Sequence, residues 1–116
     1  MESIYNDKWI NQLKKGLLEF CVLLILTKKS TYGYELTREL NEFEIFSVSE
    51  GAIYPILRRL LENELISSYW VENTEGGPPR KYYKITLKGE KLKKERWDVF
   101  TSMYNFILML KEDGEE

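Results

Sequence analysis

The sequence contains no histidine and a single cysteine. The absence of histidine excludes Ser-His-Asp and Cys-His catalysis, and with one cysteine it also excludes ordinary zinc sites, whose ligands are mostly His and Cys. An enzyme would have to use carboxylates, lysine or tyrosine alone, and we expect no cofactor. One cysteine cannot form an intramolecular disulfide, so the fold must depend on burial. Cys21 stands beside Phe20 and Val22, which favours a small buried hydrophobe.

Long apolar runs are also missing. A membrane-spanning helix needs ~20 consecutive apolar residues, whereas the run over residues 17–26 is short and contains Glu19. The N-terminus carries Glu2 and Asp7 and lacks the basic region and apolar core of a secretory signal. We therefore expect a cytoplasmic chain with no membrane partner. Its 116 residues, 43% hydrophobic and 31% charged, fit one compact domain.

Positive charge is concentrated in one segment. The formal net charge is −2, yet residues 80–96 contain eight basic and two acidic side chains, which leaves the rest of the chain at −8. Nucleic acids are bound largely by cations that meet phosphates. The segment 80–96 supplies such cations although the whole chain is acidic.

Apolar spacing predicts a long first helix, from residue 7 to about residue 28. Its apolar stripe recurs at intervals of three and four residues, at Trp9, Leu13, Leu17, Phe20 and Leu24. Residues 17–26 are apolar on nearly all sides. A helix of this kind is buried from more than one direction, by its own domain and by a partner.

Two shorter helices are predicted next. Thr31 is placed to cap a second helix, and Ser47, followed three residues later by Glu50, has the capping-box spacing for a third. Asn63 is expected to end the third helix. Its apolar side recurs with helical period, at Ile53, Ile56, Leu57, Leu60 and Leu61.

A β-hairpin and a final long helix complete the chain. Residues 66–72 and 81–86 are rich in aromatic and β-branched residues, and two glycines and two prolines lie between them. Thr86 can cap a last helix that runs to about residue 112. The apolar surface of this helix is too wide for one small domain to cover, which predicts a homodimer. Its two apolar rows are Val99, Met103, Phe106, Leu110 and Trp97, Phe100, Tyr104, Ile107.

This order of elements predicts a mainly α fold with a small β-hairpin, a winged helix-turn-helix. We expect residues 1–86 to form a DNA-binding domain and residues 87–116 to form a C-terminal dimerisation helix. The expected dimer interface comprises Trp9, Leu13, Leu17, Val99, Phe106, Ile107 and Leu110.

The third helix and the hairpin have the chemistry of a DNA contact. A recognition helix needs small or hydrogen-bonding residues near base edges and a cation for phosphate or guanine, and Ala52, Tyr54 and Arg58 meet that need. Arg80 and Lys81 flank the turn of the hairpin, where they would meet phosphates. Taken separately, the third helix and the hairpin each have another interpretation, as an ordinary protein surface with solvated charges. The combination is more specific than either part.

Pro55 is unusual in a helix because it removes a backbone hydrogen bond. Two interpretations remain open: Pro55 kinks the recognition helix along the groove, or it lies near the first turn of a helix that begins later than predicted.

Several segments, in this order, resemble the PadR-like transcriptional regulators. The resemblance covers most of the chain and is carried by the segments 16–26, Tyr32-Gly33-Tyr34-Glu35-Leu36, Gly51-Ala52-Ile53-Tyr54-Pro55-Ile56-Leu57-Arg58-Arg59-Leu60 and Gly77-Pro78-Pro79-Arg80-Lys81-Tyr82-Tyr83, followed by Thr86 and Gly89.

The resemblance implies a dimeric repressor that binds palindromic double-stranded DNA in promoters and is released by a small hydrophobic or aromatic effector. With the chemistry above, it predicts DNA contacts from Tyr32, Ser49, Ala52, Tyr54, Pro55, Arg58, Arg59, Arg80, Lys81 and Tyr83. The expected effector site comprises Trp97, Phe100, Met103 and Tyr104. For these four residues, plain packing at the dimer interface is the alternative.

Two other classes of function compete with a DNA-binding regulator. The first is a winged helix that binds a protein partner without specific DNA binding. The second is an enzyme that uses Glu35, Glu39 and Glu42, although their spacing is typical of a solvated helix face. Strong salt dependence of duplex binding would argue against the first class, because counterion release accompanies phosphate contacts.

Overall fold

The computed structural model describes residues 7–114, which form four α-helices and a three-stranded antiparallel sheet. Three helices, a hairpin and a long last helix follow one another as predicted, and a short strand and a 3₁₀ turn add to them. The elements are α1 (Lys8–Lys28), β1 (Thr31–Tyr32), α2 (Gly33–Leu40), a 3₁₀ turn (Glu44–Phe46), α3 (Glu50–Glu62), β2 (Ile66–Val71), β3 (Arg80–Ile85) and α4 (Leu87–Gly114).

The start of α3 corrects one prediction. Ser49, not Ser47, is the N-cap, and its Oγ accepts a hydrogen bond from the Ala52 amide at 3.2 Å. Ser47 is instead the C-cap of the 3₁₀ turn that precedes α3. Its carbonyl oxygen accepts a bond from Lys14 Nζ at 2.8 Å, which ties α1 to the segment before α3.

The start of α2 corrects a second prediction. Thr31 does not cap the helix, because it belongs to β1, where it pairs with Tyr83 of β3. Tyr32 stands at the N-cap position and gives the helix no side-chain cap. Thr31 is β-branched and buried, which suits a strand at the edge of a sheet.

The sheet has the order β1-β3-β2, and β2 and β3 form the predicted hairpin. Gly76 and Gly77, in the turn, both have a φ of 92°, a conformation that favours glycine. Side chains alternate between the two faces of the sheet, so Ile66 and Tyr83 lie in the core while Tyr69 lies on the opposite face. This alternation decides which side chains of the hairpin can face α3.

The core lies between α1, α2, α3 and the inner face of the sheet. Its most deeply buried side chains are Val22, Leu23, Leu36, Ile53, Leu57 and Leu60. Cys21 packs against this core, and burial raises the pKa of its thiol, in agreement with its interpretation as a small hydrophobe. No helix within residues 7–114 is long and apolar enough to cross a membrane.

The first turn of α4 is fixed to the turn that follows α3. Thr86 Oγ1 accepts a bond from the Gly89 amide at 3.0 Å, which confirms the predicted cap, and donates one to the Glu64 carbonyl at 2.7 Å. Lys88 Nζ donates to the carbonyl of Asn63, which ends α3 as predicted. A Cβ on Gly89 would lie 2.1 Å from the carbonyl oxygen of Leu65. Glycine is therefore required where α4 meets this turn.

Candidate nucleic-acid interface

One face of α3 is exposed along its length. Its apolar side chains are directed into the core, which leaves Ala52, Tyr54, Pro55 and Arg58 on the outside. Because α3 begins at Glu50, Pro55 lies beyond the first turn, and the helix continues past it to its end at residue 62. The helix does begin two residues later than predicted, at Glu50 after the Ser49 cap, but Pro55 still lies beyond its first turn, so the later start does not explain the proline. The exposed face presents a small residue, a phenol and a guanidinium, the groups expected of a recognition helix.

The phenol of Tyr54 packs closely on the backbone at the start of α2. A Cβ on Gly33, at the start of α2, would lie 2.9 Å from the Tyr54 hydroxyl oxygen. This hydroxyl also donates to Glu50 Oε1 at 3.4 Å. Desolvation and the charge of Glu50 both raise the pKa of Tyr54. The phenol therefore keeps its proton and remains a hydrogen-bond donor at the surface.

Arg59 is directed away from this face. Its Nε lies 2.7 Å from Glu19 Oε1, so the side chain forms an ion pair with α1. Tyr83 is also engaged within the protein, because only 4% of its side chain is exposed. Desolvation and, to a smaller extent, the neighbouring Tyr54 raise its pKa. DNA contacts by Arg59 and Tyr83 remain predictions.

The cations of the hairpin lie against aromatic rings. The Arg80 guanidinium lies 4.7 Å from the ring centroid of Tyr32, and its Nη1 lies 3.4 Å from the Tyr32 hydroxyl. Lys81 Nζ lies 6.0 Å from the ring centroids of Trp70 and Tyr83. Such contacts orient a long cationic side chain without neutralising it. Both positive charges remain available to an anion.

A cavity of about 730 Å³ joins the hairpin to α2 and α3. Five predicted DNA contacts line it, and Ser49, Ala52, Pro55 and Arg58 lie elsewhere on or beside α3. The lining residues are Tyr32, Gly33, Tyr34, Glu50, Tyr54, Trp70, Pro79, Arg80, Lys81 and Tyr83. Trp70 is not among the site residues predicted from the sequence. Strand alternation and its position opposite Lys81 are the features that indicate it.

Residues 22–95 match the family described as the transcriptional regulator PadR-like family. The chain belongs to this family. PadR-like proteins regulate transcription, so the chain is not an enzyme, and the winged-helix prediction is confirmed.

Solved PadR-like structures superimpose over most of the chain. A PadR family regulator from Eggerthella lenta is 29% identical, with a TM-score of 0.78, over 90% of this chain and 89% of that chain. One from Bacillus cereus is 40% identical, with a TM-score of 0.70, over 84% of this chain and 96% of that chain. Bacillus subtilis PadR in complex with operator DNA is 25% identical, with a TM-score of 0.61, over 70% of this chain and 46% of that chain.

The PadR-like chain has a second aromatic cluster between α1 and α4. The ring centroids of Trp97 and Phe100 are 6.0 Å apart, and each lies 6.4 Å from that of Phe20. A cavity of about 500 Å³ adjoins the cluster, with Leu24, Lys93, Lys94, Trp97 and Asp98 in its wall. Of the four predicted effector contacts, only Trp97 lies in this wall. Phe100 is outside it, and Met103 and Tyr104 lie exposed further along α4.

The predicted dimer interface forms a wide apolar surface on the PadR-like chain. Leu17 is half-buried, and the other six residues are exposed large hydrophobics, among them Trp9 and Phe106. A monomer rarely exposes so much contiguous apolar surface. Its role as a dimer interface remains a prediction.

Proposed function

We propose that this PadR-like chain is a cytoplasmic repressor that binds double-stranded promoter DNA as a homodimer. The observation that carries the proposal is the cavity between α3 and the hairpin, whose lining includes Tyr54, Arg80 and Lys81. Its two cations suit the phosphates of a duplex. The complex of Bacillus subtilis PadR with operator DNA supports the same use of the fold.

In this arrangement, α3 enters the major groove. Ala52 leaves room for the helix to approach the bases, Tyr54 donates from its hydroxyl, and Arg58 reaches guanine or phosphate. Ser49 caps the start of the helix, Pro55 follows Tyr54 on its exposed face, and the Tyr32 ring lies against Arg80. Arg59 and Tyr83 are engaged within the protein, through the ion pair with Glu19 and through burial, so a DNA contact from either would require its side chain to leave its present position.

Two copies joined through α1 and α4 would present two recognition helices to one face of the duplex. A twofold dimer reads a palindrome with half-sites one helical turn apart, ~34 Å. The exposed apolar rows of α4 and the N-terminal half of α1 supply the joining surface.

Binding of the wild-type protein and of two variants tests this proposal. We expect a gel shift on the DNA upstream of its own gene that competitor duplex does not remove and that weakens with salt. Tyr54→Ala and Arg58→Ala should each lower operator affinity by roughly 5- to 150-fold, as expected for contacts of about 1–3 kcal/mol.

Arg38→Ala is the matched control, because Arg38 is an exposed cation of α2 that pairs with Glu35 outside the cavity. It should bind like wild type. Unchanged operator affinity in both Tyr54→Ala and Arg58→Ala would contradict the assignment of α3. Duplex binding without specificity or salt dependence would favour a winged helix that binds protein.

The aromatic cluster of Phe20, Trp97 and Phe100 is the proposed effector site. A flat hydrophobic molecule bound beside these rings would contact both α1 and α4, and it would weaken DNA binding only if it prefers a dimer geometry that does not fit DNA. We expect such molecules to quench tryptophan emission and to raise the melting temperature. Trp97→Leu should remove most of the quenching. Ligands that change neither signal would contradict the proposal.

A further inference from the structure

An indole lies exposed in the wall of the DNA-facing cavity. Trp70 of β2 is 68% exposed, although tryptophan is highly buried on average in folded proteins. It shares the cavity wall with Tyr54 of the recognition helix and with Pro79 and Lys81 of the hairpin. A large apolar ring held open to solvent within a cationic cavity indicates a contact with a partner.

The hairpin fixes the direction of this ring. Trp70 stands directly opposite Lys81 in the antiparallel register, and the two side chains lie on the face of the sheet that is turned towards α3. Tyr69, one residue earlier, lies on the other face, where its ring centroid is 5.9 Å from that of Tyr82. Trp70 and Tyr69 are thus neighbouring aromatic residues on opposite faces of one strand.

We infer that Trp70 inserts into the minor groove beside each half-site and reads the deformability of the flanking base pairs. The inference rests on the proposed function, in which α3 occupies the major groove and the hairpin lies next to it. Apolar side chains that enter the minor groove act as wedges that partly unstack a base step. Lys81, with its Nζ 6.0 Å from the Trp70 ring centroid, holds a positive charge beside the wedge for the adjacent phosphates.

The chemistry of indole decides what can be read there. It has a single N–H donor and no acceptor, so it cannot distinguish base pairs by their pattern of donors and acceptors. A wedge is favoured at steps that unstack easily, above all pyrimidine–purine steps. Trp70 would therefore give the protein a sequence preference outside the palindrome that Tyr54 and Arg58 contact.

Salt dependence separates this role from that of a phosphate contact. Trp70→Ala should lower affinity for the preferred flank about tenfold, within the range for aromatic contacts with bases, and leave the slope of log affinity against log salt unchanged. Lys81→Ala should instead weaken binding to every duplex and reduce that slope by roughly one unit.

Selection from duplexes with a fixed palindrome and randomised flanks tests the inference. Wild type should enrich flexible steps at one flanking position on each side, and Trp70→Ala should keep the palindrome but lose this preference. Trp70→Phe should retain part of it, because a phenyl ring is also a wedge. Tyr69→Ala is the matched control on the opposite face of β2 and should select the same flanks as wild type.

Each outcome decides the question. The same flanks selected by wild type and by Trp70→Ala would overturn the role of Trp70 and leave the proposed function intact. An equal loss of the flank preference in Tyr69→Ala would also overturn the role of Trp70, because the effect would then come from the hairpin as a whole. Wild-type protein that binds the palindrome but enriches no flank would overturn only this inference, whereas wild-type protein that binds no duplex of the library would overturn the proposed function itself.

Discussion

Phe106→Glu combined with Ile107→Glu is expected to give a monomer that no longer retards operator DNA. Both side chains are more than half exposed in the single chain, so the substitutions leave its own core intact. In the proposed dimer they are buried, and each charge would lose its hydration there. The two half-sites would then be bound independently, and linkage of two binding modules contributes on the order of 10²–10⁴ in apparent affinity.

Sedimentation velocity and gel shifts on the same samples provide the measurement. Asn105→Glu is the matched control, because it adds a carboxylate to the same helix on the side opposite the apolar rows. It should remain dimeric and bind DNA. A dimer that persists in the double variant would exclude this surface of α4 as the interface.

Gly89→Ala is expected to have the largest effect on stability. The new methyl group would lie 2.1 Å from the Leu65 carbonyl oxygen and 2.7 Å from Ile85 Cγ1. Neither neighbour can withdraw without moving the turn after α3 or the end of β3. We expect a loss of about 1–3 kcal/mol or more, as for other overpacked sites, and a fall in melting temperature of several degrees.

Gly51→Ala provides the comparison. Gly51 lies in the first turn of α3, as Gly89 lies in that of α4, but a Cβ there meets nothing within 4 Å. Alanine is the better helix former, so this variant should be as stable as wild type or up to about 1 kcal/mol more stable. Thermal melts of both variants by circular dichroism test the pair. A Gly89→Ala protein that melts at or above the wild-type temperature would contradict the packing of α4 described above.

The fold could be predicted where local signals and burial agree. The apolar period of α1, the stop at Asn63 and the cap at Thr86 all appear in the structure close to their predicted positions. The hydroxyl of Thr31 suits a helix cap locally, and the sequence therefore predicts one there. Its actual role depends on pairing with Tyr83, 52 residues further along the chain, which no local pattern contains.

The site was harder to predict than the fold. Arg59 follows Arg58 in the sequence, but the 100° turn between consecutive helical residues directs it towards Glu19 of α1. Tyr82 and Tyr83 look alike in sequence, and only the register of β3 decides that Tyr83 is the buried one. These assignments depend on which face of an element meets the core. A repeating pattern determines that face in α3 but not in a six-residue strand.

In the proposed dimer, the junction between α3 and α4 would pass a movement of α4 on to the recognition helix. Thr86, Lys88 and Gly89 hold the two helices at a fixed angle. At 1.5 Å per residue, the 28 residues of α4 give an arm roughly 42 Å long. A tilt of about 3° where two such arms cross would move each recognition helix by roughly 2 Å, more than half the 3.4 Å rise of a base pair. In the proposed dimer the two α4 helices would thus set the distance between half-sites, and an effector bound beside α4 would change that distance without contacting α3.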